Sequence, residues 1–232
     1  IFQPNLFDII GVSETWLKPS IHSNEVSLSG YVLQRNDRTG KQGGGVAVYI
    51  REDLKFKILC SSPSEYSAGP EFMFLEISLL GADALLLGVC YRPPRTGRLL
   101  DFENALLNLM FRYSHVLIMG DFNTDLLSTT QNYEYRQLTT MFDSCNLSVL
   151  PLEPTHHAAG TDTFLDLLVV SNLNDIIHKG QLPVPAISKH DLIYCVYSIK
   201  TPKPKMKLIK YRDFKNMTWK SLCQMFNKPR GT

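Results

Sequence analysis

At 232 residues, with 44% hydrophobic and 20% charged residues, the chain has the length and composition of one large globular domain, which excludes a disordered or fibrous polypeptide. No apolar run reaches the ~18–20 residues that a bilayer crossing needs, so no membrane role is expected. The net charge of +2 hides an asymmetry: residues 200–232 hold ten Lys/Arg against one acid, whereas residues 1–199 hold fourteen against twenty-one, and an acidic body is not the footprint of a tight polyanion binder.

In chain order, short apolar runs bounded by turn residues predict strands at 7–13 (FDIIGVS), 31–34, 46–50 (VAVYI), 72–79 (FMFLEISL), 85–91 (LLLGVCY), 116–119, 164–170 (FLDLLVV) and 192–199 (LIYCVYSI). Two helices are predicted. Over 99–113, Leu99, Phe102, Leu106, Leu109 and Met110 recur at helical spacing, with Asp101 and Glu103 in the first turn. Over 133–145 the same spacing joins Tyr135, Leu138, Phe142 and Cys145. Many strands and few helices imply packed sheets flanked by helices. The segment 200–210 (KTPKPKMKLIK) reads as a basic, proline-containing linker, so a domain is expected over 1–200 and a linker over 201–232. Five cysteines, an odd number without a C-x-x-C pair, argue against a disulfide framework or a structural zinc site. A reducing compartment, nuclear or cytoplasmic, follows as the expectation.

Five places carry candidate chemistry. In Val12-Ser13-Glu14, a carboxylate ends an apolar strand, where hard divalent cations find oxygen ligands. Gly43-Gly44-Gly45 lacks the spacing of a phosphate loop and reads as a tight turn into the following strand. In Tyr91-Arg92-Pro93-Pro94-Arg95, a tyrosine and arginines on a proline-stiffened loop suit phosphate oxygens, with Arg98 close by. In Gly120-Asp121-Phe122-Asn123, Asp and Asn two apart at a strand end are expected to converge on one point, the Asp able to accept a proton from water. Asp166, inside an apolar strand, needs a partner, and His190 in Ser188-Lys189-His190 is a natural one. The adjacent His156-His157 pair makes a poor zinc site, because neighbours on an extended chain point apart.

Taken together and in order, SETWL, GGGVAVYIR, YRPP, GDFN, PTH, the strand Asp and the terminal S-x-H resemble the endonuclease domains of non-LTR retrotransposons, close to jockey-like arthropod elements. That family is related to exonuclease III, apurinic endonucleases and deoxyribonuclease I. The resemblance covers about residues 1–200. It implies a four-layer α/β/β/α sandwich and a nuclease that nicks DNA by phosphodiester hydrolysis with Mg²⁺ or Mn²⁺. It further implies a monomer, and a reverse transcriptase following in an intact element. By resemblance, Glu14 is the metal-binding glutamate and Tyr91 the phosphate-contacting tyrosine. Asp121 orients or deprotonates the attacking water, with Asn123 positioning it; Asp166 orients the histidine, His190. Arg92, Thr155 and Ser188 fall on the DNA side. Two departures stand out. The family's first strand, bearing a metal-site asparagine, is expected to be missing, with Ile1–Leu6 as the tail of the helix after it. Lys189 stands where the family carries Asp, and Asp191 is expected to project to the opposite face. An inactive relic of such an element, or a phosphatase on the same fold, remain the alternative readings.

Overall fold

The computed structural model describes residues 6–79, 81–95, 99–158 and 160–199; Arg98 and the basic segment 201–232 lie outside them. The chain opens with β1 (Ile9–Ser13), β2 (Tyr31–Asn36) and β3 (Val46–Arg51), which form an antiparallel sheet in the order β1-β3-β2. There follow β4 (Lys55–Ser61), β5 (Glu71–Ser78), β6 (Leu85–Tyr91), α1 (Leu100–Met110), β7 (His115–Asp121), α2 (Tyr133–Ser144) and β8 (Ser148–Val149). The hairpin of β9 (His156–Ala158) and β10 (Thr161–Thr163) precedes β11 (Asp166–Val170), and the chain turns back through β12 (Ile176–Leu182) and β13 (Leu192–Tyr197). Six strands form the central sheet, in the order β4-β5-β6-β7-β11-β8. Its one parallel pair, β6 and β7, is joined by α1, as a parallel crossover requires.

The central sheet is covered on both faces, which is why β6 and β11 read as unbroken apolar runs. Alternate residues of β5 show the division. Phe72 and Phe74 pack with Phe102, Phe122, Phe142 and Leu138 beneath the two helices, whereas Met73, Leu75 and Ile77 pack with Val46, Val48 and Ile50 of the first sheet. Each fully buried side chain of this size contributes ~1.5–3 kcal/mol of transfer free energy. β12 and β13 extend the second core with Ile176, Ile193 and Cys195. On the outer face of the first sheet, the Tyr49 hydroxyl donates to the Val26 carbonyl (2.6 Å), pinning a 3₁₀ turn over Ser23–Val26. α2 begins where Asn132 Oδ1 accepts the Tyr135 N–H (2.8 Å), a side-chain cap directly ahead of the predicted start.

The predicted strands and helices are present with small shifts at their ends, and β4, β8, β9, β10 and β12 add to them. β4 escaped the apolar-run criterion because it is an edge strand on which Lys55 and Lys57 stand exposed. Cys60, Cys90, Cys145 and Cys195 are unpaired. No helix among the described residues is long and apolar enough to cross a membrane.

Candidate active site

The register of the central sheet places Glu71, Tyr91, Asp121 and Asp166 side by side across β5, β6, β7 and β11. Residues opposite one another on paired strands share a face, and Tyr91 packs in the inter-sheet core. The next rung inward on that face is Met73, Val89, Met119 and Leu168. The apolar core between the sheets therefore stops at a polar rung of one tyrosine and three acids. Glu14, just beyond β1, and His190, just before β13, reach the same end from outside the central sheet.

Asp121 depends on the glycine before it. Gly120 has φ +145°, and a Cβ there would lie 1.8 Å from the Cys90 carbonyl oxygen, so only glycine lets β7 approach β6 at this point. After Asp121 the chain turns back through Asn123, whose φ is 46°. The Asn123 backbone N–H and side-chain amide donate to the two Asp121 carboxylate oxygens (2.8 and 3.0 Å), and the amide also donates to the Arg92 carbonyl (2.9 Å). Sequence reading expected these two side chains to converge by strand alternation. The strand ends at Asp121, and a left-handed asparagine brings them together instead, a conformation asparagine tolerates.

Asp166 Oδ2 lies 2.8 Å from His190 Nδ1, and the Asp166 backbone N–H donates to Thr155 Oγ1 (2.9 Å). The His190 N–H donates to Ser188 Oγ (3.0 Å). His156 packs against His190 with ring centres 4.6 Å apart and the rings tilted by 50°, and its Nδ1 lies 3.2 Å from Thr163 Oγ1. Its neighbour His157 points the other way, between Asp162 (2.8 Å) and Asp191 (3.2 Å). Asp191 also accepts from Gln181 (2.7 Å), so it faces away from the Asp166–His190 pair. Lys189 is exposed, and its carbonyl accepts the His157 N–H (3.0 Å).

Glu14 lies near enough to Tyr91 for its charge to act on the phenol, and behind the two lies a buried support. Arg38 and Glu71 form an ion pair between the sheets through Nε and Oε1. Glu71 Oε2 accepts the Gly45 N–H (2.6 Å), and the guanidinium lies 5.6 Å from the Tyr91 ring centre. A Cβ at Gly44 (φ +72°) would fall 2.2 Å from Arg38 Cζ, so the triglycine turn closes directly over the arginine. The carbonyls of Gly45 and Gly44 in turn accept the N–H groups of Thr15 (3.1 Å) and Trp16 (2.9 Å), fixing the chain just after Glu14. Removing one partner of such a buried pair costs ~3–5 kcal/mol.

Electrostatics follow from this crowding. Burial, then the neighbouring Asp166, pushes the Asp121 carboxyl up to about 7, against the pull of the Asn123 N–H and of His190. The hydrogen bond to Asp166 raises His190 above the ordinary histidine value despite its burial. Burial first, then His190, lowers His156. Burial, then Glu14, raises the Tyr91 phenol. Ligand atoms of Asp121, Asp166 and His190 lie within 4.8 Å of one another, close enough to share one metal ion. Glu14 lies outside that trio, although its charge acts on Asp121, Tyr91 and His190.

Thus Glu14, Tyr91, Asp121, Asn123, Asp166 and His190 come together, with exposed Ser188 beside them. Two expectations need correction. Arg92 is 1% exposed, its guanidinium reaching Thr124 and Glu134, and so it offers no surface to DNA. Thr155 is 0% exposed and holds the backbone of Leu165 and Asp166 through its hydroxyl, so it supports the site from inside. Sequence reasoning missed Arg38, Glu71 and His156. Glu71, an acid opening an apolar strand, was the available signal.

No curated protein matches the chain. Among solved structures, it is similar to the endonuclease domain of TRAS1, a telomere-specific non-LTR retrotransposon, with a TM-score of 0.62 and 14% identity over 83% of this chain and 86% of that one. A mannosyl-6-phosphatase of Bacteroides thetaiotaomicron follows at TM-score 0.53 and 17% identity over 82% and 86%. The catalytic domain of APE2 from Xenopus laevis gives 0.52 and 14% over 84% and 86%. At these identities the likeness establishes the fold of nucleases and phosphatases alike. The family model described as the endonuclease/exonuclease/phosphatase family matches residues 2–186, most of the chain, and the chain belongs to that family.

Proposed function

We propose that the chain is the endonuclease domain of a non-LTR retrotransposon, nicking DNA by phosphodiester hydrolysis to prime reverse transcription at the target site. The observation that carries this is the polar rung, where Asp121–Asn123, Asp166–His190 and Glu14–Tyr91 converge at one end of the sandwich. The motifs SETWL, YRPP and GDFN and the likeness to the TRAS1 domain support the nucleic-acid substrate over a sugar phosphate. Asp121, held near neutrality by burial, is suited to take a proton from the attacking water, and the Asn123 amide fixes its orientation. His190, with Nδ1 on Asp166, keeps Nε2 for a phosphoryl oxygen on which charge develops. The Tyr91 hydroxyl, near Glu14, is placed to donate to a second phosphate oxygen.

The donors fit a hard divalent cation. Asp121 holds its proton to about 7 partly because Asp166 and Glu14 are near, which is more carboxylate than the rung can ionise unaided. Glu14 would hold Mg²⁺ or Mn²⁺ together with waters and substrate oxygens, and the ion would neutralise phosphate charge and stabilise the leaving 3′ oxygen while Asp121 stays free to take the proton. In an intact element a reverse transcriptase would follow the basic segment 201–232, the domain acting as an intracellular monomer. Lys189, where the resembled family carries Asp, favours a second reading, an inactive relic.

Conversion of supercoiled plasmid to nicked circles tests the proposal. Nicking is expected with Mg²⁺, is abolished by chelation, and falls by ~10²-fold or more in Asp121→Ala. An intact plasmid alongside phosphate release from a sugar phosphate would make the chain a phosphatase. Neither activity would leave the relic reading.

A further inference from the structure

We infer that the Trp16 indole is a stacking platform for an unpaired nucleobase beside the scissile phosphate, an inference that rests on the nucleic-acid reading above. Glu14 and Trp16 both adopt left-handed backbone, with φ of 54° and 58°. Bulky L-residues rarely do so, and such outliers concentrate where function requires them. Burial does not account for Trp16, since the residue is 55% exposed. Its backbone is nevertheless tied down: the Trp16 N–H donates to the Gly44 carbonyl (2.9 Å), and the Leu17 N–H to Thr15 Oγ1 (3.3 Å). The ring lies beside Gly43, where an added Cβ would already touch Cε2 at 3.6 Å and Cζ2 at 3.7 Å. The indole is thus backed by bare backbone and open to solvent.

The same strained segment carries Glu14, whose charge acts on Tyr91, Asp121 and His190 at the polar rung. Two residues of chain span at most about 7 Å between Cα atoms, so Trp16 is anchored beside the residue that lies at the rung. An exposed, flat indole anchored next to the site is the partner of a base face. Every base offers one, so contact of this kind is tolerant of sequence. In a regular duplex the base faces are covered by their neighbours. The substrate must therefore present an unstacked base near the cut, in a single strand or at a kinked step.

Two tryptophans occur, so Trp219→Phe in the full 232-residue chain leaves Trp16 as the sole indole reporter. With metal chelated, end-labelled oligothymidylate is titrated in, label anisotropy reporting binding and indole emission reporting contact. Emission should be quenched in step with the anisotropy. Trp16→Phe should bind within about 3-fold of the parent, and Trp16→Asn, which tolerates left-handed backbone but has no ring, roughly 10-fold more weakly. Rising anisotropy with unmoved emission, or parental binding by Trp16→Asn, overturns the platform. The emission readout needs no folded variant at position 16. If anisotropy responds to neither single strand nor duplex, the nucleic-acid reading fails and the platform with it.

Discussion

Asp121 is the residue on which stability and chemistry pull apart. Its carboxyl ionises at about 7 in the folded chain, well above the unperturbed aspartate value near 3.9 in the unfolded one. A raised carboxylate pKa means that the unfolded state gives up the proton first, so stability declines as pH rises between these values and stays reduced above 7. Asp121→Asn removes this penalty. In metal-free buffer its thermal midpoint, relative to the parent, should improve by ~1 kcal/mol or more, about 2–4 °C, on going from pH 4 to pH 8. The hydrogen bonds lost to Asn123 weigh equally at both pH values and cancel from that comparison; a difference independent of pH would show that Asp121 ionises normally. The neighbouring pair gives a kinetic counterpart. Nicking should need Asp121 without its proton and His190 with one, a bell-shaped profile belonging to the coupled cluster. Asp166 raises both Asp121 and His190. Asp166→Asn at fixed metal should therefore move both limbs of kcat/KM to lower pH. Unmoved limbs would detach Asp166 from the cluster's titration.

The elements deliver these side chains through a few backbone positions, and two glycines, Gly120 and Gly160, separate strain from clash. Gly120 and Gly160 both have positive φ, but a Cβ at Gly160 meets nothing within 4 Å, while at Gly120 it meets the β6 backbone. Gly160→Ala should cost roughly 1–2 kcal/mol, the left-handed penalty alone, whereas Gly120→Ala should leave little folded protein. Comparable urea midpoints for the two would mean that β7 can shift away from β6. This also marks what a sequence can reveal. β5, β6 and β11 were legible because burial on both faces leaves largely apolar runs. β12 was not, because His178, Lys179 and Gly180 interrupt it on an exposed ribbon. Asp121, Asp166 and His190 stood out because polar residues ending or interrupting apolar strands need a reason. The Arg38–Glu71 pair bridges 33 residues and leaves no local pattern. Arg92 misled because its type and loop context suit phosphate, while its burial against Thr124 and Glu134 depends on the fold of distant segments.

For the whole molecule, charge poses the remaining problem. A sandwich over residues 1–199 carries a formal −7, which repels a polyanion everywhere except where local groups or a bound cation reverse the sign. The compensating +9 sits in residues 200–232. On the proposed function, that segment supplies much of the long-range attraction, and the polar rung supplies the chemistry. The two contributions differ in salt dependence. Each phosphate neutralised by a lysine adds about −0.9 to the slope of log K against log salt on duplex DNA. Replacing Lys203, Lys205, Lys207 and Lys210 by Gln should flatten that slope by one to ~3.6, depending on how many contact phosphate. Binding should weaken most at low salt and little at high salt, while kcat with saturating DNA stays near the parent. If the slope is unchanged, the basic segment takes no part in holding DNA, and the acidic sandwich must bind it through the site end alone. A fall in kcat at unchanged slope would instead give these lysines a part in the chemistry, which long-range attraction alone does not foresee.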